Sequence, residues 1–524
     1  MWLFSEIRTI GDIPKHYARV TPDKAALIDA SGTMSFAQLH ANSTKVANAL
    51  SGLGVKPLDR VAILSKNTPR YYEVLFGANR IDAAMLPLNW RLAAPELSSI
   101  IEDAGPTVLV ADSEYALTAS KAVAGSGQNC RIVLFDSTDA SAQTEWKSLC
   151  DQASDSDPDI EVNPLHTSIL MYTSGTTGKP KGVQFSHQGQ LFLRLCEHLE
   201  PSFRYQQDDV MLTVMPLFHA MGISLSTQAL YSGVAVAVYP MPEPGDLIKL
   251  IARERPTVMP LVPTVIQMLL DHPDAASADY SSVRALIYAG SGIGKHLLSR
   301  AMQTISCDFI QFYGATETAC GVTFLRPADH KLDDEAALAS CGSPLPLIDI
   351  KVMDADGQEV PDGTVGEFWI RSPSLSTGYF RQPELTATAF KDGWYRSGDA
   401  GFRDSRGLLT IVDRVKDMII SGGENVYSTE VEQALQKLNG VQMCAAVGLP
   451  DPKWGERVVA AIVADPAAGL TAERVIEHCR ELIAGYKVPK QVEFVSAIPM
   501  TASGKVQKRE LHDQLLAAAS QASR

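Results

Sequence analysis

Between residues 60 and 320, short apolar and β-branched runs alternate with segments whose apolar residues recur at helical spacing. RVAILSK at 60–66 reads as a buried strand, and PRYYEVLFGANRI at 69–81 as a helix. The alternation continues through TVLVAD (107–112), RIVLFD (131–136), SILMYTS (168–174), DVMLTVMP (209–216), VAVAVYP (234–240), PTVMPLVP (256–263), VRALIYAG (283–290) and DFIQFYG (308–314). Helical patterns such as PGDLIKLIARER and GKHLLSRAMQTI lie between them. Such alternation predicts an α/β chain, with mostly parallel sheet flanked by helices. Ligands in these folds collect at the carboxyl ends of the strands. Two polar stretches begin there: YTSGTTGKPKGV at 172–183 and YGATET at 313–318.

The texture changes after about residue 340. IDIKVMDADGQEVPDGTVGEFWIRSP is strand-rich with DG turn signals, which predicts a small β subdomain over about 340–413. From about 413 the chain has its own hydrophobic segments: VEQALQKL, VQMCAAVGL, RVVAAIVAD, AERVIEHCRELI and QVEFVSAIP. These predict a small α+β domain, with the Ala/Ser tail at 516–524 frayed. A chain of 524 residues exceeds what one core can organise, so more than one domain is expected.

The net charge is −14 and no run of five Lys/Arg occurs, which argues against a nucleic-acid partner. A polyanionic ligand is repelled by this field, so any anion site must be made positive locally. The eight cysteines, at 130, 150, 196, 307, 320, 341, 444 and 479, form no CxxC pair and no Cys/His cluster. This argues against structural zinc and fits free thiols in a reducing compartment. MWLFSEIRTIGDIPKHY has no basic segment followed by an apolar core, and no apolar run reaches about 18 residues. The expectation is a cytoplasmic protein with neither leader nor transmembrane segment.

The loop in YTSGTTGKPKGV has the parts of a phosphate cradle. Gly175, Gly178 and Gly182 permit close backbone approach. Thr173, Ser174, Thr176 and Thr177 add hydroxyls, and Lys179 and Lys181 add charge. It is not the GxxxxGK[ST] loop, because its glycines are three apart and Pro180 follows Gly-Lys. Proline also disfavours helical geometry at Lys179, so the loop should not feed directly into a helix.

YTSGTTGKPKGV resembles the phosphate-loop signature of the adenylate-forming superfamily of acyl-CoA synthetases, peptide-synthetase adenylation domains and beetle luciferases. The resemblance extends over nearly the whole chain through YGATETA (313–319), GWYRSGDAGFRDSRG (393–407), DRVKDMIISGGENVYSTEVE (413–432) and PMTASGKVQKREL (499–511), in the family's order. It implies an acid–CoA ligase. ATP activates a carboxylate as an acyl-adenylate with release of pyrophosphate, and the thiol of CoA then displaces AMP. The first step sets anion against anion, so catalysis must neutralise charge and align the two groups.

What the resemblance implies can be placed residue by residue. Residues 173–181 would hold the β- and γ-phosphates. Thr316 would bond the α-phosphate, and Glu317 would bind Mg2+. Tyr313 would stack on adenine, beside Gly314 and Ala315. Asp399 would accept the ribose hydroxyls and Arg414 would donate to the ribose. Taken alone, Asp399 in SGD reads as a turn residue and Lys505 as a solvated surface lysine. The resemblance instead makes Lys505 catalytic, with Thr316, Glu317 and His219: it would pair with the carboxylate and α-phosphate during adenylation. The small domain, residues 417–524, would then turn about a hinge at 414–416, centred on Lys416. That turn withdraws Lys505 and brings Gly422 and Gly423 to line the thiol tunnel. The adenylating domain is accordingly expected over 1–413.

The acyl pocket is expected near His219, Met221, Gly222, Ala289, Gly290, Ser291 and Gly314. Amino-acid-activating relatives carry an aspartate at the place of His219, and stranding a buried ammonium costs on the order of 3–5 kcal/mol, so amino acids are discounted. Acetate-type relatives carry tryptophan at the place of Gly314, so glycine implies an open pocket for an aromatic or medium- to long-chain fatty acid. Met221 stands where hydroxycinnamate ligases have tyrosine, which weighs against a phenolic acid. The implied partners are the acid, ATP and CoA, with homodimerisation open. Two alternatives stand beside this reading: an enzyme loading a carrier-protein thiol, and an ATP-hydrolysing nucleotide-binding protein.

Overall fold

The computed structural model describes residues 5–136, 144–173, 180–422, 424–500 and 506–522. The chain forms two compact units: Met1–Ile350 with Ile370–Arg396, and Lys351–Trp369 with Ser397–Arg524.

Two sheets organise the first unit where the sequence pattern predicts parallel pairing. The described residues of one sheet run across Thr144–Glu145, Arg131–Leu134, Val108–Ala111, Arg60–Leu64, Ala84–Pro87 and Thr167–Thr173, all with parallel neighbours. It ends on Lys181–Ser186, antiparallel to Thr167–Thr173. In the other, Ala25–Asp29, Ala235–Val238, Val210–Thr213, Val258–Leu261, Ala285–Ala289 and Asp308–Tyr313 are parallel neighbours, with antiparallel strands closing both edges. Burial explains the unbroken apolar runs: Val61–Leu64 and Val108–Ala111 are all fully buried, as strands covered on both faces must be. The apolar runs overshoot the strands. In DVMLTVMP only Val210–Thr213 pair, while Val214 and Met215 stay buried in the turn toward Pro216.

The unit boundaries fall inside the strands Asp349–Met353, Gly366–Arg371 and Trp394–Arg403. The β-rich stretch expected over about 340–413 is therefore shared between the units. Its pairing of Asp399 through Arg403 with Leu409–Arg414 belongs to the second.

That second unit also contains a mixed sheet. Glu424–Val426, Ile419–Ser421, Gly455–Ala464 and Val441–Asp451 pair antiparallel in that order, and Gln491–Phe494 runs parallel to Gly455–Ala464. Alternation along the two long strands feeds two cores. Cys444, Ala446, Val458, Ala460 and Ile462 pack with Val431, Leu435, Val475 and Cys479 of the helices Ser428–Gln436 and Ala472–Leu482. Ala445, Val447, Val459 and Ala461 pack with Leu511 and Leu515. Of the tail expected to fray, residues 516–522 continue the helix Lys508–Ala522, which is anchored ahead of them by the buried Leu511 and Leu515, and residues 523–524 lie outside the described residues.

Candidate active site

In the first unit, Thr173 and Lys181 are register partners across the antiparallel hairpin that encloses residues 174–180. The glycine- and hydroxyl-rich loop thus leaves one strand and enters another, as the proline argument requires. Pro180 comes just before the first paired residue of the return strand, where a missing N–H breaks no ladder bond. Ser174, Gly175, Thr176, Thr177, Gly178 and Lys179 lie outside the described residues. Gly182 has a packing reason of its own, since a Cβ there would stand 3.0 Å from both Leu170 Cδ1 and Tyr172 Cζ.

Tyr313 closes the strand Asp308–Tyr313, next to Ala285–Ala289 in the parallel sheet, with Ala289 opposite Phe312. Gly290, Ser291, Gly314, Ala315 and Thr316 follow at the carboxyl ends of these two strands. A short turn, Thr316–Thr318, is braced by the Thr318 hydroxyl, which receives the Ala315 N–H at 3.0 Å and reaches the Cys320 carbonyl at 2.7 Å. Ser224 donates to the Ala319 carbonyl at 2.7 Å. This bond ties the turn to the helix Ala220–Tyr231, whose N-cap position His219 occupies without a side-chain capping bond.

A second segment completes the cluster. Ser376–Phe380 runs beside the hairpin's return strand: Thr377 donates to Gln184 at 3.0 Å, Gln184 to Gly378 at 3.1 Å, and Phe380 to Gly182 at 2.7 Å. Tyr379 is thereby buried between two of the expected site residues. Its hydroxyl donates to Glu317 Oε1 at 2.7 Å, and its ring centre lies 5.3 Å from the Lys181 ammonium. Burial and the Glu317 charge push the phenol's pKa well above its ordinary value, so the proton stays on Tyr379. No sequence signal marks Tyr379, an aromatic in STGYF far from both motifs.

Asn67 was also missed. It is buried, its Nδ2 donates to the Met215 and Tyr239 carbonyls at 2.9 and 3.1 Å, and its Oδ1 accepts the Leu217 N–H at 3.1 Å. These bonds hold the PLFHAMG loop to the carboxyl end of the Arg60–Leu64 strand. The rule that ligands gather at strand ends would have singled out a polar residue there.

The expected acyl-pocket residues sort unevenly. His219 is half-buried, its ring 4.5 Å from that of Phe218. Met221 is half-buried and packs, with Val262, against the core cluster that contains Leu212 and Met259. Ala289 is half-buried, while Gly290 and Ser291 are exposed. At Gly314 a Cβ would stand 2.4 Å from the Cys320 carbonyl oxygen, so a larger residue there must shift that carbonyl. Gly222 is similar, with a Cβ meeting the Pro216 carbonyl oxygen at 2.3 Å.

The second unit holds the remaining candidates. Asp399, buried, and Arg414, exposed, are register partners joined at 2.7 Å from Oδ1 to Nε. Lys416 is exposed in the turn Val415–Asp417. Gly422 has φ +64° and donates to the Trp454 carbonyl at 2.7 Å, and a Cβ there would meet Trp454 Cε3 at 2.9 Å. Lys505 and Gly423 lie outside the described residues.

Among the described residues no group of three or more His, Cys, Asp or Glu could enclose a metal ion. A lone carboxylate such as Glu317 instead fits Mg2+, which keeps most of its waters and binds through one or two carboxylates plus substrate phosphates. Among the described residues no helix is long and apolar enough to cross a membrane.

The sequence profile of the AMP-binding enzyme family matches residues 14–380, and that of the AMP-binding enzyme C-terminal domain matches residues 430–505. The chain is 36% identical over 503 residues to a feruloyl-CoA synthase of Amycolatopsis sp, covering 96% of this chain and 98% of that one. It is 34% identical over 512 residues to a fatty acid–[acyl-carrier-protein] ligase of Streptomyces coeruleorubidus, covering 97% of each. The solved o-succinylbenzoate CoA synthetase from Bacillus subtilis, in complex with its acyl-adenylate intermediate, superposes with a TM-score of 0.84 at 28% identity, covering 95% of this chain and 97% of that one.

Proposed function

The chain belongs to the AMP-binding enzymes and is an AMP-forming acyl-CoA synthetase, and on that premise we propose that its acid is a monocarboxylate with a large apolar body, aromatic or medium- to long-chain. Its substrates are that acid, ATP and CoA. The observation that carries the site assignment is the bridging of Lys181 and Glu317 by one buried phenol at the end of the phosphate-loop hairpin.

In adenylation the acid's carboxylate attacks the α-phosphate and pyrophosphate leaves. Thr173 through Lys181 surround the β- and γ-phosphates with hydroxyls, backbone N–H groups and two ammonium charges. Glu317 is the residue to hold Mg2+, which when bound neutralises phosphate charge. Thr316 bonds the α-phosphate and Tyr313 takes the adenine face. Asp399 and Arg414 receive the ribose, and their mutual ion pair sets both before nucleotide arrives. Lys505 brings a compact, movable positive charge to the carboxylate and α-phosphate. In the second step the CoA thiol displaces AMP. Lys416 is the pivot that exchanges Lys505 for the Gly422–Gly423 turn, so residues 1–413 act as the adenylating part and 417–524 as the mobile one.

The relatives support a bulky acid, since one is named for ferulate and another for fatty acids. The packing of Met221, two residues after His219, and of Val262, beside Gly290, onto one core supports an apolar wall for the acid. All eight cysteines are free, which supports a reducing, cytoplasmic setting.

A panel of acetate, hexanoate, decanoate, benzoate and ferulate tests the reading, scored as acid-dependent pyrophosphate release and then as thioester formation with CoA or with a carrier-protein thiol. Each buried CH₂ contributes roughly 0.8 kcal/mol, so kcat/KM should favour the larger acids over acetate by several decades. A preference for acetate overturns the acid assignment. Release of phosphate in place of pyrophosphate would make the chain an ATP hydrolase.

A further inference from the structure

Tyr379 sits where two charge-neutralising groups of the adenylation step meet, and no step described above uses it. It is fixed from several directions. Its N–H donates to Thr386 Oγ1 at 2.9 Å, its backbone bridges to Val183 on the hairpin's return strand, and its ring packs edge-on to Phe390 at 6.0 Å. The neighbouring Ser376 N–H donates to the Glu317 carbonyl at 2.8 Å, so the same segment holds Glu317 by backbone and by side chain. A carboxylate on a short turn can rotate about its last torsion. A donor on one oxygen removes that freedom and presents the other oxygen to a cation in a fixed direction. A lysine above an aromatic face is likewise held on that side of the ring.

We infer that Tyr379 is a positioning residue for adenylation, orienting Glu317 Oε2 toward the divalent cation through its hydroxyl and the Lys181 ammonium toward the triphosphate through its ring. The inference rests on Glu317 being the cation ligand, as proposed above. It makes two separable demands. Tyr379→Phe keeps the ring and removes the hydroxyl, so only the cation should be affected. Tyr379→Leu removes both, so the triphosphate should be affected as well.

The test uses the full chain with Mn2+ in place of Mg2+ and α,β-methylene-ATP as a nucleotide that cannot release its adenylyl group to the acid. Free Mn2+ is followed by electron paramagnetic resonance, and nucleotide binding by calorimetry at saturating Mn2+. Tyr379→Phe should raise the half-saturating Mn2+ about 10-fold, the lower end of the range for losing an outer partner of a ligand, with nucleotide affinity at saturating Mn2+ unchanged. Tyr379→Leu should add a loss of nucleotide affinity at saturating Mn2+. Glu317→Gln should raise the Mn2+ requirement at least as much as Tyr379→Phe. Circular dichroism and thermal melting identify any variant that has not folded; should Tyr379→Leu be one, Tyr379→Phe decides the hydroxyl's role alone. If Glu317→Gln shifts the Mn2+ titration and Tyr379→Phe does not, the positioning role is wrong and the ligand assignment stands. If Glu317→Gln leaves the titration unmoved, the ligand assignment fails and the inference fails with it.

Discussion

Replacing Lys508 with methionine tests how the second unit holds its last helix. Lys508 opens that helix and lies 2.9 Å from Glu432, with the two side chains 16% and 15% exposed. Its ammonium also meets the Ser428 hydroxyl, which donates to Asp413 Oδ2 at 2.6 Å, and Glu432 Oε1 accepts the Ala446 N–H at 2.8 Å. Four segments are joined through this network, one of them the strand that ends at Arg414. Methionine keeps much of the apolar stem and deletes the charge. Removing one partner of a buried ion pair costs about 3–5 kcal/mol, because the other charge is stranded. The remaining Ala446 bond and the residual exposure put the expected loss near the lower bound, about 3 kcal/mol, or two decades in an opening constant.

The same substitution predicts a pH dependence. Burial holds the Glu432 carboxyl above its usual range, against the opposing pull of Lys508. Without Lys508 its folded pKa rises further above the unfolded value of roughly 4.3. Between those two values the folded chain keeps a proton that the unfolded chain has released, so stability falls as pH rises. The penalty should therefore be largest near pH 7.5 and smaller at pH 5.5. Hydrogen-exchange protection of Ser428–Gln436 and Lys508–Ala522, compared with the wild type at both pH values, reads it directly. The double variant Lys508→Met/Glu432→Gln should recover most of the loss. A penalty below about 1 kcal/mol, one equal at both pH values, or a double variant no better than the single would refute the argument.

Two further outcomes concern the half-reactions. Lys505→Ala should slow acyl-adenylate formation by about 10²-fold or more, the scale for losing one preorganised charge, while thioester formation from supplied acyl-adenylate survives; equal losses in both would show that Lys505 does not serve one step alone. Lys416→Pro fixes φ and removes an N–H at the proposed pivot, so it should spare pyrophosphate release and impair transfer to CoA, and full thioester activity in this variant would move the pivot elsewhere.

The parallel sheets, the strand ends that carry both motifs and a loop that does not run into a helix after Pro180 were legible because each follows from a local rule: apolar period, strand-end polarity, proline's restriction of the residue before it. Asp399 and Arg414 are drawn together in the sequence only by the resemblance, since SGD taken alone is a turn. The structure shows them ion-paired at opposite positions on two antiparallel strands, and 15 residues of sequence separation hide that pairing. Tyr379 and Asn67 were illegible for the same kind of reason. Each acts on residues over 60 positions away, and neither carries a charge or a spacing that a sequence window can register.

Gly314 carries a backbone constraint of its own beside its proposed place in the acyl pocket. The backbone aims a Cβ at the Cys320 carbonyl, 2.4 Å away, within the turn that Thr318 braces. An added side chain must first displace that carbonyl, and with it the turn that presents Thr316 and Glu317. A substitution meant to change the acid preference is therefore better placed where a side chain can vary without moving the turn. Met221 qualifies: it lies half-buried against the core in the first turn of a helix, where a larger or smaller apolar residue changes the proposed wall and leaves the Thr316–Thr318 turn in place.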